Sequence, residues 1–186
     1  MNRRYKKESF LKRALKGIGY SIVAEVMCAF LVITMIVLTT KTDLAIIKII
    51  AGICTLTVIL GLFFNWANNA AKADRDAVKF HNEEYDRYMP LKMALCGPVI
   101  SYVTLIALIL SKCGVISDIF NVFLLINMYS LPFVDAFTDG RTLEFLTVPG
   151  LFGLIGLTLL QPAAIVLTYV LTYKDVDVIT KIVYRK

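Results

Sequence analysis

Long, uninterrupted runs of apolar residues constrain this chain more than any other feature of its sequence. A helix that crosses a bilayer needs about 20 consecutive, mostly apolar residues, and runs of that length recur here, as in residues 18–39 and 44–66. Of the 186 residues, 58% are hydrophobic, which exceeds the roughly 45–50% of soluble domains. One small soluble core could not bury all of these runs, so the sequence predicts an integral membrane protein.

The apolar runs are continuous rather than alternating, which favours helices as the membrane-crossing elements. Backbone groups in lipid must be hydrogen-bonded within the protein, and a helix achieves this within one segment. The basic residues flank the apolar runs, as they do on the cytoplasmic side of membrane proteins. The net charge of +6 is therefore interpreted as topological, and no nucleic-acid partner is expected. The predicted fold class is an all-α, polytopic integral membrane protein.

The chain divides into five predicted segments. No proline or glycine lies between Trp66 and Tyr88, and alanines and mixed charges fill this stretch. We therefore expect the second apolar helix to continue into the cytoplasm and to end at Pro90, because a residue before proline disfavours helix. The segments are a basic amphipathic amino-terminal helix over 1–17, or a simple topogenic flank, a transmembrane hairpin over 18–66, a cytoplasmic charged helical segment over 67–90, a second transmembrane unit over 91–173 and a basic cytoplasmic tail over 174–186.

The number of spans depends on residues 118–137, which are long enough to cross but carry internal asparagines and Pro132. If this stretch does not cross fully, sixteen of the twenty basic residues lie on the cytoplasmic side with the amino terminus. If it crosses, the division becomes thirteen to seven. The positive-inside rule favours the first arrangement. We predict four transmembrane helices plus one re-entrant or interfacial helix, with five transmembrane helices as the alternative.

Four ionisable residues within or beside apolar runs are candidate intramembrane polar residues: Glu25, Lys48, Asp118 and Asp135. An ionisable group inside a membrane segment is costly and therefore often functional. Lys48 is expected near the outer face, too far from Glu25 for an ion pair, and could instead meet Asp118, Asp135 or Asp139. The alternative for Glu25 is a helix-packing carboxylate, and for Asp135 a solvated helix end.

The charged cytoplasmic segment supplies candidate partner-binding residues, namely Lys72, Arg75, Lys79 and Arg87. The sequence carries no phosphate-binding loop, zinc-protease or serine-hydrolase motif, so no catalytic residue is proposed and the chain is not predicted to be an enzyme. His81 is the only histidine, and one histidine beside two glutamates makes a poor metal site. No metal or cofactor is expected.

Residues 74–80 (DRDAVKF) and 84–88 (EYDRY), followed by a proline and a new apolar run, form a charged loop. This loop and the closing residues 169–186 resemble those of small uncharacterised polytopic membrane proteins of Firmicutes type. The resemblance implies no activity and no site residues, but it favours a cytoplasmic carboxyl terminus.

The sequence favours a non-enzymatic accessory or interaction subunit of a membrane complex, in the cytoplasmic membrane of a bacterial-type cell, with both termini cytoplasmic. Its partners would be the lipid bilayer and a larger membrane protein or further copies of the chain. The alternative is a small-solute or ion transporter with a path near Glu25 and Asp135, because a proline-interrupted segment is typical of transporter helices.

Overall fold

A computed structural model describes residues 8–39, 45–137 and 142–174. Within these ranges the chain is helical and contains no strand, which confirms the all-α prediction. Three helices are long and apolar enough to cross a membrane, or four if a bent pair of shorter helices counts as one. Large apolar side chains such as Phe30 and Phe152 lie exposed on the outer faces of these helices, as expected for an all-α membrane protein.

Seven α-helices and two short 3-10 turns make up the described part of the chain. The helices are α1 (Phe10–Thr39), α2 (Ala45–His81), α3 (Met89–Cys96), α4 (Val99–Lys112), α5 (Phe120–Ile126), α6 (Leu131–Phe137) and α7 (Val148–Tyr173), and the turns are Met128–Ser130 and Leu143–Phe145.

The two longest helices continue past their apolar stretches. α1 runs without a break from Phe10, in the basic region, through the first apolar run. α2 continues beyond Trp66 as expected, but it ends at His81 rather than near Pro90. Asn82 has a φ of 52°, the left-handed conformation that commonly terminates a helix and that asparagine tolerates. Pro90 instead lies in the first turn of α3, where its missing N–H costs nothing.

The third apolar run, residues 91–111, is broken into two helices. α3 and α4 meet at an angle of 59° across a short break that contains Gly97 and Pro98. Proline cannot donate the backbone hydrogen bond that would continue α3. Gly97 also lies close to Trp66 and to Gly17 of α1, so the bend brings backbone against backbone at this point.

Residues 118–137 form a second broken element. The backbone of Asn127 leaves the helical region between α5 and the following 3-10 turn, with φ −111° and ψ 60°. At the start of α5, the Ser111 hydroxyl donates to the Ser117 carbonyl at 3.0 Å. On α6, Phe133 lies against Gly52 of α2. Instead of one helix, the stretch contains two short helices, α5 and α6, separated by Asn127 and the 3-10 turn Met128–Ser130.

Two hydrophobic clusters form the core. One joins α1, α2, α3 and α7 around Trp66, Phe63, Met93 and Tyr169. The other joins α4, α5, α6 and the first half of α7 around Leu108, Phe123 and their neighbours. α2 packs most extensively on α1 and α7, so these three long helices form the frame against which the broken elements pack.

Candidate functional site

The carboxyl-terminal part of α2 has one buried and one exposed face. Ala70, Ala71, Asp74 and Ala77 are buried, at the three- and four-residue spacing of one helix face. The other face is exposed and carries charges. The extension is therefore packed against the rest of the protein along its length rather than projecting free.

A buried ion pair fixes this extension to α1. Both terminal nitrogens of the Arg13 guanidinium donate to the two carboxylate oxygens of Asp74, each at 2.5 Å. Arg13 is only 1% exposed and Asp74 only 6% exposed. Such two-pronged pairing matches the fork geometry of arginine. The Tyr169 hydroxyl of α7 also donates to Asp74, so one carboxylate connects three helices.

Further contacts join the same ends of α2 and α7. The Thr172 hydroxyl donates to the side-chain oxygen of Asn68 at 3.0 Å. The ring of Tyr85, in the loop after α2, stacks on Tyr173 with centroids 4.2 Å apart, and Tyr173 also stacks on Tyr169. Partial burial raises the pKa of the Tyr85 hydroxyl. The loop after α2 is thereby held against the end of α7.

Glu8 extends the charge network at the start of α1. Its carboxylate lies 2.5 Å from the Lys16 ammonium and 3.9 Å from the Arg13 Nε atom. The hydrogen bond from Lys16 is the main reason that the pKa of the Glu8 carboxyl lies below its usual value. Arg13 is thus flanked by two acidic residues, and only the Asp74 contact is buried.

The four predicted partner-binding residues differ in their exposure. Lys72 and Lys79 are exposed on the outer face of α2, Arg87 is exposed in the following loop, and Arg75 is only partly exposed. Phe80 is 67% exposed beside Lys79, whose ammonium lies 5.4 Å from the centre of the Phe80 ring. An aromatic ring and two lysines therefore share one open surface at the end of α2.

Glu25 lies midway along α1, where the side chain faces a groove rather than another acid or base. Both of its carboxylate oxygens are buried, and neither has a hydrogen-bond partner within the described residues. The polar groups that act on the carboxyl are the backbone N–H groups of Met128 and Tyr129, and no described side chain pairs with it. The groove has a volume of about 290 Å³ and is otherwise lined by apolar residues of α1, α4 and α5 and by Met128.

The other candidate intramembrane residues do not join Glu25 in one site. Lys48 lines a different, smaller pocket with Val32 and Leu131. Asp118 is exposed, and its carboxylate accepts a hydrogen bond from the backbone N–H of Phe120, the first residue of α5, at 2.8 Å. Asp135 belongs to α6, but its side chain is outside the described part of the structure, as is all of Asp139. The predicted pairing of Lys48 with an acid stays a prediction.

Several buried polar side chains were not among the candidate residues predicted from the sequence. Asn127 and Gln161 are fully buried, and each has at least one side-chain atom without a hydrogen-bond partner in the described residues. The Asn127 amide donates to the Thr104 hydroxyl at 2.8 Å, and the Tyr129 and Thr158 hydroxyls share a hydrogen bond. The asparagine in an apolar run was a usable signal for a break, but it did not reveal these partners.

Within the described ranges, no three histidine, cysteine, aspartate or glutamate side chains lie close enough together to hold a metal ion. The four cysteines are free, and Cys28 donates to the Thr55 carbonyl from a buried position.

Comparison with known proteins identifies no relative: no family model, curated protein or solved structure matches the chain. The resemblance of the charged loop to Firmicutes membrane proteins therefore stays a prediction.

Proposed function

We propose that this all-α membrane protein is a non-enzymatic interaction subunit that presents the end of α2 to a partner. One observation carries the proposal: the end of α2 is fixed on its inner face by the Arg13–Asp74–Tyr169 cluster, while its outer face exposes Lys72, Lys79 and Phe80. A surface held rigid before binding loses less conformational entropy when a partner docks.

The chemistry of this outer face favours a protein partner with acidic and aromatic or aliphatic groups. Exposed Phe80 offers apolar contact area, and the two lysines offer charge complementarity, which steers association and fixes orientation. Solvent-exposed lysines alone would be an ordinary charged surface. The exposed aromatic ring on a helix fixed from behind is the feature that favours docking.

The proposed threading has four transmembrane helices, α1, α2, the bent α3–α4 pair and α7, with α5 and α6 as a re-entrant pair. Contacts among Arg13, Asp74 and Tyr169 bring the start of α1 and the ends of α2 and α7 to one end of the bundle. By the basic-residue count this end is cytoplasmic. The membrane would be the cytoplasmic membrane of a bacterial-type cell, with both termini inside.

A reporter fused after Lys186 tests this threading. We expect a carboxyl-terminal alkaline phosphatase fusion to be inactive and a fluorescent-protein fusion to be bright, because the end of α7 lies beside the start of α1. A fusion within the Lys112–Asp118 turn serves as the control and should give the opposite pattern. An active phosphatase after Lys186 would contradict the four-span arrangement.

Charge reversal on the outer face of α2 tests the docking proposal. With a photo-crosslinking residue at Phe80, the Lys72→Glu, Lys79→Glu double variant should lower the yield of partner adduct about tenfold, as expected for the loss of roughly 1.4 kcal/mol of binding. Both side chains are exposed, so folding should be unaffected. Reversal of Lys174, which is exposed at the end of α7, is the matched control and should preserve the adduct. Equal yields in all variants would overturn the proposal.

Ion or small-solute transport is a second candidate function, favoured by the break at Asn127 beside the unpartnered Glu25 carboxylate. Broken helices that line substrate sites are typical of transporters. In proteoliposomes, a transporter should show proton or sodium flux that Glu25→Gln abolishes and that the Lys72, Lys79 reversal leaves intact. Asp135→Asn should also lower the flux. Fluxes equal to those of empty liposomes would exclude transport of these ions.

A further inference from the structure

We propose that the groove beside Glu25 binds a transmembrane helix of a partner protein that carries a basic side chain at mid-membrane depth. This inference rests on the proposed interaction function and adds a second, membrane-embedded contact whose partner is defined by charge. Glu25 lies near the midpoint of α1 (Phe10–Thr39), about 18 Å along the helix from Arg13 at 1.5 Å per residue.

The argument begins with the carboxylate itself. Both Glu25 oxygens are buried, and no side chain among the described residues pairs with them; only the backbone N–H groups of Met128 and Tyr129 act on the carboxyl. This contrasts with Asp74, whose two oxygens accept three hydrogen bonds from Arg13 and Tyr169. A buried carboxylate without a counter-charge is costly, and no described side chain supplies Glu25 with a cation as Arg13 does for Asp74.

The position of the groove indicates the side from which a counter-charge could approach Glu25. The groove of about 290 Å³ lies between α1, α4 and the α5–Met128 region. Its rim includes Ile22, Val26 and Leu125, which are 50%, 51% and 66% exposed. These apolar side chains face outward at the depth where lipid would surround the protein. A second helix could therefore lie against the rim, and rotation of the Glu25 side chain into the groove would bring its carboxylate to a side chain of that helix.

Charge complementarity selects a basic side chain for that position. Lysine or arginine is itself costly at the centre of a lipid-facing helix, so each helix carries a charge that only the other neutralises. This charge complementarity makes the pairing specific, because a helix without a basic side chain leaves Glu25 without a counter-charge. The chain's own Lys48 lines another pocket.

A synthetic helix tests the site without knowledge of the natural partner. The purified full chain and a labelled helix of about 20 leucine and alanine residues with one central lysine would be reconstituted together in lipid vesicles. Energy transfer then measures their association. We expect the lysine helix to bind about tenfold more tightly than a matched helix with central leucine, a difference in line with interhelical polar contacts. Glu25→Gln should abolish the preference, and Glu25→Asp should retain part of it.

Further variants separate the alternatives. Val26→Trp should block the rim and weaken binding of the lysine helix even if Glu25→Gln proves hard to purify. The Lys72→Glu, Lys79→Glu variant should bind the lysine helix like the unmodified protein. The groove and the outer face of α2 are therefore tested independently, and a negative result for one leaves the other proposal unaffected. Equal affinity for the lysine and leucine helices overturns the inference. So does energy transfer between two labelled copies that Glu25→Gln removes, because the groove would then hold a second copy.

Discussion

Asp74→Ala should lower the free energy of unfolding by about 3–5 kcal/mol, the cost of removing one partner from a buried ion pair. The substitution leaves the Arg13 guanidinium, which is 1% exposed, without a buried counter-charge. It also leaves the Tyr169 hydroxyl without its acceptor. The measurement is unfolding of the purified protein by a denaturing detergent in mixed micelles, followed by circular dichroism.

Matched substitutions test whether this loss belongs to the cluster. Asp76→Ala removes an exposed acid two residues later on the same helix and should change stability by no more than about 0.5 kcal/mol. Tyr169→Phe should cost about 1–3 kcal/mol, as expected when a buried group loses a hydrogen bond. Replacing the pair together, with Arg13→Met and Asp74→Leu, should recover much of the loss. Similar values for Asp74→Ala and Asp76→Ala would contradict a structural role for the cluster.

Gly17→Ala should destabilise the protein by about 1–3 kcal/mol, because it forces atoms into a packed core. A methyl group at Gly17 would lie 2.5 Å from one ring carbon of Trp66 and 3.2 Å from the Cα atom of Gly97. Trp66 is only 4% exposed and packs near Tyr20 and Phe63, so the indole has little room to move. Thermal unfolding in detergent measures the effect.

A neighbouring glycine provides the control for this prediction. A methyl group at Gly19 meets nothing within 4 Å, and alanine is favoured over glycine in a helix by up to about 1 kcal/mol. Gly19→Ala should therefore leave stability unchanged or raise it. In a Trp66→Phe background, the cost of Gly17→Ala should shrink, since the smaller ring leaves space. A Gly17→Ala protein as stable as the Gly19→Ala protein would show that α1 is not in close contact with Trp66 of α2 at this point.

The all-α fold class and the membrane-length helices were predictable because both follow from the length of the apolar runs. That length is a local property of the sequence. The extension of α2 beyond Trp66 was predictable for a different local reason, since no proline or glycine interrupts the chain there. The bend at Gly97 and Pro98 also has a local cause, because a glycine–proline pair commonly interrupts regular structure. Glu25 was predicted as a candidate polar residue only because an ionisable side chain in an apolar run is costly to bury.

The Arg13–Asp74–Tyr169 cluster was not predictable by those means. Arg13 is one of several basic residues before the first apolar run, and its neighbours Lys12 and Lys16 are exposed. Nothing local distinguishes the one buried guanidinium from the solvated amines. Its partner lies 61 residues away, and only the packing of α1 on α2 brings the two charges together.

The order in which the ribosome makes these three residues has a consequence for biogenesis. Asp74 is translated 61 residues after Arg13, and Tyr169 follows 95 residues later still. A nascent chain that has inserted only α1 and α2 can form the ion pair, but the tyrosine donor arrives with α7. Completion of the cluster thus reports that α7 has inserted and docked. Chains truncated before Tyr169 would keep an incompletely bonded buried acid, a feature by which quality-control proteases could recognise unfinished copies.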